Sequence, residues 1–175
     1  IDGRNTVDFT ISKYKQLVSD LKELGGGIAG FSDIAGGQTA RFTVLRHDVD
    51  KKPQNALKIA RIEADESVRA SYHFRATEGG FQERFITEIA SLGHEIAYHY
   101  EDLSAVAVWK HGRRNDFEPM VIAGAVASFR MNLGRIRGLY PVKVISMHGS
   151  PISPVDNRLL WKYHDYHSDG IICEP

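Results

Sequence analysis

The feature that most constrains this chain is a regular alternation of short β-prone runs with helical apolar stripes. Arg41-Phe42-Thr43-Val44-Leu45-Arg46 is β-prone. Pro53 then opens a helix at its first turn, with Leu57, Ala60, Ala64 and Val68 facing inward. Ala70 to Arg75 is a second strand. Phe81, Phe85, Ile86, Ile89 and Leu92 mark the next helix, stopped by Gly93. Residues 94–98 form a third strand. Ile122, Val126, Phe129, Leu133 and Ile136 step by four and three, a long helix closed by Gly138 and Pro141, and Val142 to Met147 is a further strand. The order βαβαβαβ predicts parallel strands joined by right-handed helical crossovers. An open doubly wound sheet and a (β/α) barrel both fit, and in either one function collects at the C-terminal ends of the strands.

Upstream, Ile11, Tyr14, Leu17, Val18, Leu21 and Leu24 place one helical stripe over 10–24. Gly25-Gly26-Gly27 ends it, and the Gly-rich stretch 26–40 is expected to be a loop. The closing run Ile171-Ile172-Cys173 has the look of a strand beginning, so the chain is expected to be a portion of a longer protein. The 175 residues suit one domain: an N-terminal helix and loop over 1–40 and the main α/β portion over 41–175.

Charge narrows the function classes. The chain carries 22 basic and 22 acidic residues, so no basic excess points to nucleic acid or a membrane surface. The single cysteine, Cys173, excludes an intrachain disulfide and a Cys-cluster metal site. No apolar run approaches the ~18 residues of a membrane span. No basic-then-apolar leader stands out, and a reducing cytoplasm is the expected location. The 8 histidines then carry most of the chemistry.

Three polar clusters fall at predicted strand ends. The first is His47-Asp48-Val49-Asp50. In extended chain, residues two apart point the same way, so Asp48 and Asp50 share a face and repel unless a cation or proton lies between them. Asp50 also fits a helix-preceding position, and Asp48 a solvated acid. The second is Gly93-His94-Glu95-Ile96-Ala97-Tyr98-His99-Tyr100-Glu101-Asp102. His94 and His99 are five apart and cannot pair as ligands on a helix or a strand, and a zinc-protease motif needs a spacing of four. His94 is expected to be a hydrogen-bonded structural residue, while His99 can reach the site. The third is Ser146-Met147-His148-Gly149-Ser150-Pro151, whose turn can present His148. One aspartate and two histidines form a ligand set suited to zinc or another divalent metal. Asp48 is left free as a base.

These motifs resemble the polysaccharide deacetylase superfamily (NodB-homology, carbohydrate esterase family 4), in the divergent branch whose acidic motif is His-Asp-Val-Asp. The likeness covers most of residues 41–162. Phe81 to His99 is similar to the helix and second motif of that family, and Ala70-Ser71-Tyr72-His73-Phe74-Arg75 to its second strand. The resemblance implies a distorted (β/α)7 barrel and metal-dependent removal of an acetyl group from a sugar amine. By motif, Asp48 corresponds to the catalytic base, and Asp50 and His99 to metal ligands. The family's second metal histidine falls on Leu103, which cannot ligate, so Glu101, Asp102 or His148 must substitute. His148 is preferred because it follows the next strand. The family's third motif is replaced by Met147-His148-Gly149-Ser150-Pro151, and its later acid-donating histidine would lie beyond Pro175. The expected cofactor is a divalent metal, zinc first. The expected partner is an N-acetylated carbohydrate in cell-envelope or surface-polysaccharide synthesis.

Substrate contacts are expected at Tyr98, Tyr100, Glu101 and Trp161, with Trp109 as a further aromatic. Packing roles for Trp109 and Trp161 fit equally. Gly25, Gly27 and Gly30 satisfy Gly-x-Gly-x-x-Gly but follow a helix, against dinucleotide binding. Lys110, His111, Arg113 and Arg114 form a small basic patch. Two rival functions are hydrolysis of a non-sugar amide and a non-catalytic glycan- or partner-binding role.

Overall fold

A computed structural model describes residues 10–37, 41–107, 117–149, 153 and 155–175. The chain is α/β. Strands β1 (Gly27–Ile28) and β2 (Phe42–Thr43) form a two-stranded parallel sheet, while β3 (Arg46–Val49), β4 (Ser71–Phe74), β5 (Glu95–Tyr100) and β6 (Ile145–Met147) form a second parallel sheet in consecutive order. Helices α1 (Ile11–Glu23), α2 (Phe31–Ala35), α3 (Pro53–Asp65), α4 (Glu83–Ser91), α5 (Asp102–Ala107) and α6 (Pro119–Arg137) intervene. Two 3-10 turns, Asn157–Lys162 and Tyr166–Asp169, follow β6. The final run makes one parallel bridge, Cys173 with Val144.

The register divides the larger sheet into two unlike faces. Val49 pairs with Phe74, Phe74 with Tyr98, and Tyr98 with Ile145. Paired residues share a face, and this row is apolar. It packs under Leu57 and Ala60 of α3, Ile86 and Ile89 of α4, and Phe129, Leu133 and Ile136 of α6. The other face carries Arg46, Ser71 and Glu95 in one row and Asp48, His73 and Ala97 in the next, with His99 paired to Ser146 above them. Of these residues only Ala97 is apolar. A sheet face on which Ser71, His73, Glu95, His99 and Ser146 are buried polar residues is the unusual feature of the fold, because each group needs a partner.

The stretch 26–40 differs from the expected simple loop. It contains β1 and α2, and α2 closes the lower end of the polar face. The Glu95 carboxylate accepts the Phe31 and Ser32 backbone N–H groups, each at 2.9 Å, and the Phe31 ring stands edge-on to His73. Gly30 permits this approach: a Cβ there would sit 3.1–3.3 Å from the Glu95 carboxyl group. The expected strand 42–46 is also redrawn. Phe42 and Thr43 pair with β1, and the strand of the main sheet starts at Arg46, so His47 and Asp48 lie within the strand instead of after it.

Helix α5 was not anticipated from the polar stretch after β5. It buries Leu103 and Ala107 against Val121 and Ala125 of α6 and Leu160. On α1 only Val18 is buried, and Ile11, Leu17 and Leu24 are exposed, so the apolar stripe is wider than the face used. Trp109, the Lys110–Arg114 patch and Ser150-Pro151 lie outside the described residues. Among the described residues, no helix is long and apolar enough to cross a membrane.

A second polar cluster sits on the helix side of β3. His47 points away from Asp48, as expected from alternation, and its Nε2 lies 2.6 Å from the fully buried Glu63 carboxylate. Tyr14 and Tyr72 donate to the same carboxylate. Burial raises the Glu63 pKa, but His47 and the two tyrosines outweigh it and hold the group below its usual range. His94 is the structural histidine that its position predicts. Its Nδ1 accepts the Ala70 N–H at 3.1 Å, and its Nε2 donates to the Ala60 carbonyl at 2.8 Å.

Phe129 joins α6 to the sheet, with ring contacts to Tyr98, Tyr100 and Trp161. Phe129→Ala is expected to cost about 3–5 kcal/mol, read as a lowered urea midpoint. A loss below about 1 kcal/mol would contradict this packing.

Candidate metal centre

The three polar clusters converge at one end of the sheet. Asp48 and Asp50 leave β3 on the polar side, while the intervening Val49 is buried in the apolar core. His99 rises from β5. His148 follows β6, its backbone N–H bonded to the Tyr100 carbonyl at 2.8 Å and its carbonyl accepting from Asn157 Nδ2 at 3.1 Å. The turn is therefore fixed at both polar groups of one residue. The His99 and His148 rings meet at 69°, with centroids 5.1 Å apart.

Asp50, His99 and His148 each turn one ligand atom inward, and these atoms lie within 4.8 Å of one another. Asp50 Oδ1 is 3.8 Å from His99 Nε2 and 3.4 Å from His148 Nε2. Zinc bonds of about 2.0–2.2 Å at tetrahedral angles set neighbouring donors roughly 3.3–3.6 Å apart. The Asp50–His148 spacing falls in that range, the Asp50–His99 spacing is slightly longer, and all three atoms stay within 4.8 Å. The Asp50 side chain is nearly half exposed, yet its Oδ1 is out of solvent with no hydrogen-bond partner, as is His148 Nδ1. An orphaned, inward carboxylate oxygen costs free energy unless a cation or donor meets it. This group could hold a metal ion.

Burial lowers the His99 pKa by more than Asp48 and Asp50 raise it. The imidazole is thus neutral at neutral pH, the form that ligates. Its Nδ1 lies 2.9 Å from Ser146 Oγ and 3.2 Å from the Ser146 carbonyl, so Nε2 is the atom that faces the site.

Asp48 stands beside this group, its Oδ2 3.8 Å from His99 Nε2. It is not the free acid expected. Arg46 Nε and one terminal guanidinium nitrogen donate to its two oxygens at 2.7 and 3.0 Å. Partial burial raises the Asp48 pKa, but the Arg46 hydrogen bonds and the nearby His99 outweigh it and bring the group below its ordinary value. Asp48 is accordingly ionised and held in one orientation. A cavity of about 390 Å³ opens beside it, lined in part by Arg46, Lys51, Lys52 and Asn55.

The other expected contacts separate from this group. Tyr98 and Tyr100 are fully buried on the helix side of β5, because they alternate with His99. Tyr98 donates to Asp102 at 2.6 Å, and Tyr100 donates to Glu174. Trp161 packs on Phe129 and Tyr100, donating its indole N–H to Tyr100 at 2.6 Å. Tyr98 and Tyr100 are core residues, and Trp161 is partly buried against that core with its indole N–H already engaged. Glu101 is clamped by Arg75 at 2.5–2.9 Å, and its Oε2 lies 3.6 Å behind His148 Nδ1. It backs a ligand instead of facing a substrate. Leu103 is buried in the α5 core and contributes no ligand atom.

Arg46, His73, Arg75 and Ser146 were missed by motif reasoning. The period-two pattern of the strands could have found the first, second and fourth, since each shares a parity with a motif residue on the same or a paired strand. His73 is fully buried, and burial, followed by the Arg46 charge, takes its pKa down to about 3. Comparison with family models, with curated proteins and with solved structures found no match to this chain.

Asp50→Asn, His99→Gln and His148→Gln should each weaken zinc binding by more than about 100-fold, beyond the loss of an outer-shell partner. Competitive chelator titration measures this, and wild-type affinity in any of the three would remove that residue from the site. Acid sensitivity follows from His73. Between about pH 6.5 and its folded value of about 3, the unfolded chain binds a proton that the folded chain does not. The contribution is complete above about 6.5 and is lost as pH falls. Between about pH 7.5 and pH 5, wild type should therefore lose more stability than His73→Gln in urea titrations. Equal losses would contradict the burial of a neutral His73.

Proposed function

We propose that the chain is a zinc-dependent hydrolase that removes an acetyl group from an amine, with an N-acetylated sugar as the substrate class. The observation that carries this reading is the convergence of Asp50 Oδ1, His99 Nε2 and His148 Nε2 beside a second carboxylate, Asp48, that is not needed as a ligand. The consecutive strand order, with α3, α4 and α6 on one face, supports a singly wound, barrel-type architecture of the NodB kind. Among the described residues the strand order shows no reversal point of the doubly wound type.

Asp50, His99 and His148 would hold the metal, which when bound polarises a carbonyl and makes water a nucleophile near neutral pH. Asp48 accepts the proton that the attacking water gives up. The Arg46 clamp fixes which Asp48 oxygen faces the site and keeps the acid ionised, at the cost of some basicity. The C–N bond breaks as the amine leaves. The protonated Asp48 then holds the proton that the amine requires, so water, acetate and amine balance.

Sugar specificity rests on the motif resemblance, because Tyr98 and Tyr100 are buried in the core and Trp161 is partly buried against them. Their burial favours a second reading, hydrolysis of an acetylated amine that is not a sugar.

Acetate release distinguishes these readings. N-acetylglucosamine oligomers should be turned over and N-acetylated alkylamines should not; the reverse pattern would establish the second reading, and no release from either would reject both. Asp48→Asn should retain zinc and lose roughly 10²–10⁴-fold in turnover. Undiminished turnover in that variant would reject the base assignment.

A further inference from the structure

Ser146 is the most heavily shared side chain on the polar face. Its Oγ lies 3.1 Å from an Arg46 guanidinium nitrogen, 2.7 Å from His73 Nδ1 and 2.9 Å from His99 Nδ1. The two histidine contacts are buried, the Arg46 contact is partly buried, and Ser146 itself is fully buried. A hydroxyl has one donor and two acceptor positions. Arg46 can only donate, so it fills one acceptor position. One acceptor and the one donor remain for two histidine nitrogens. One imidazole must therefore carry its proton on Nδ1, and the other must be bare there.

The second contact of His99 decides which is which. Its Nδ1 also lies 3.2 Å from the Ser146 backbone carbonyl, an atom that can only accept. A proton on His99 Nδ1 meets two acceptors, whereas a bare nitrogen there would face a carbonyl lone pair. His99 is then the donor, and Ser146 O–H donates to His73 Nδ1. The remaining nitrogen of neutral His73, Nε2, carries its proton and donates to Ser71 Oγ at 2.9 Å. Each side-chain contact in the row Ser71–His73–Ser146–His99 acquires a determined direction.

We infer that Ser146, backed by His73, is a positioning residue that fixes the His99 tautomer with its proton on Nδ1 and its lone pair on Nε2. This deepens, and rests on, the metal-centre reading. A bare Nε2 is the form that binds a metal, and supplying an acceptor to the far nitrogen is how outer partners orient a histidine ligand. The same assignment leaves a lone pair on His99 Nε2 facing Asp48 Oδ2 and Asp50 Oδ1, each at 3.8 Å. Three acceptor-type atoms pointing together are mutually repulsive until a cation joins them. Arg46 extends the arrangement, since one guanidinium contacts both Ser146 and Asp48. The base and the ligand histidine are thus positioned through one shared side chain.

The test is long-range nitrogen–proton NMR on the metal-free, full-length chain at neutral pH, with the His99 signals assigned by their loss in His99→Gln. His99 should show a pyrrole-type Nδ1 and a pyridine-type Nε2, and His73 the opposite pattern. Ser146→Ala leaves His99 Nδ1 only the longer 3.2 Å contact to the backbone carbonyl, against two carboxylates 3.8 Å from Nε2, so it should give a mixture of His99 tautomers and weaken zinc binding about 10–100-fold, and Ser146→Thr should restore both. A wild-type His99 protonated on Nε2 would overturn the inference whatever the variants do. So would Ser146→Ala with wild-type tautomer and zinc affinity. Wild-type protein with the expected tautomer but no zinc binding would support the positioning role and reject the metal reading.

Discussion

Three potential ligand atoms gathered within a few ångströms of one another are the constraint on which the rest of this structure depends. Asp50 Oδ1 lies in the interior without a donor, and two imidazole nitrogens stand 3.4 and 3.8 Å away. An isolated fold gains nothing from such an arrangement, because it desolvates a charge and leaves it without a hydrogen-bond donor. A cation turns the same arrangement into a binding site. The sheet makes the cluster possible because parallel register carries one parity of residues from strand to strand. Asp48 lines up with His73, and His99 with Ser146, while the alternate residues build the apolar core.

Strand β3 shows how the two faces cooperate. On one side, His47 is bound to Glu63 and stacks on Tyr72, with ring centroids 4.6 Å apart. That carboxylate also draws in Tyr14 from α1 and Tyr72 from β4. On the other side, Arg46 and Asp48 reach toward the candidate centre. The strand is short and, among the described residues, pairs with β4 alone, so side-chain anchoring on the helix face gives the acids on the opposite face a fixed platform. Rigid placement of this kind is what a metal-assisted site requires, since small displacements of a ligand or base cost binding and rate.

Much of this was legible in the chain itself, for reasons that can be named. The alternating elements gave the parallel α/β class, and the opposed orientations of His94 and His99 followed from their odd spacing on a strand. Asp50, His99 and His148 come together because each closes a strand of one parallel sheet. Tyr98 and Tyr100 failed as substrate platforms for the same parity that placed His99 correctly: neighbours in a strand cannot share a face. Arg46 was hidden because a charged residue at the start of a strand gives no motif, and its role depends on Ser146, a hundred positions away. Ser146 and His73 carry no local signal of chemistry. Their significance is a count of donors and acceptors, which exists only once four strands are side by side. Helix α5 was missed because its apolar content, Leu103 and Ala107, matters only against α6.

The central claim is that one cation joins the turns after β3 and β6 to strand β5. Anomalous diffraction from zinc-loaded crystals, with data above and below the zinc absorption edge, tests it directly. The account predicts a single strong peak about 2.0–2.2 Å from Asp50 Oδ1, His99 Nε2 and His148 Nε2. A fully loaded crystal whose zinc peaks all lie elsewhere, with these three atoms joined only by water, would contradict it.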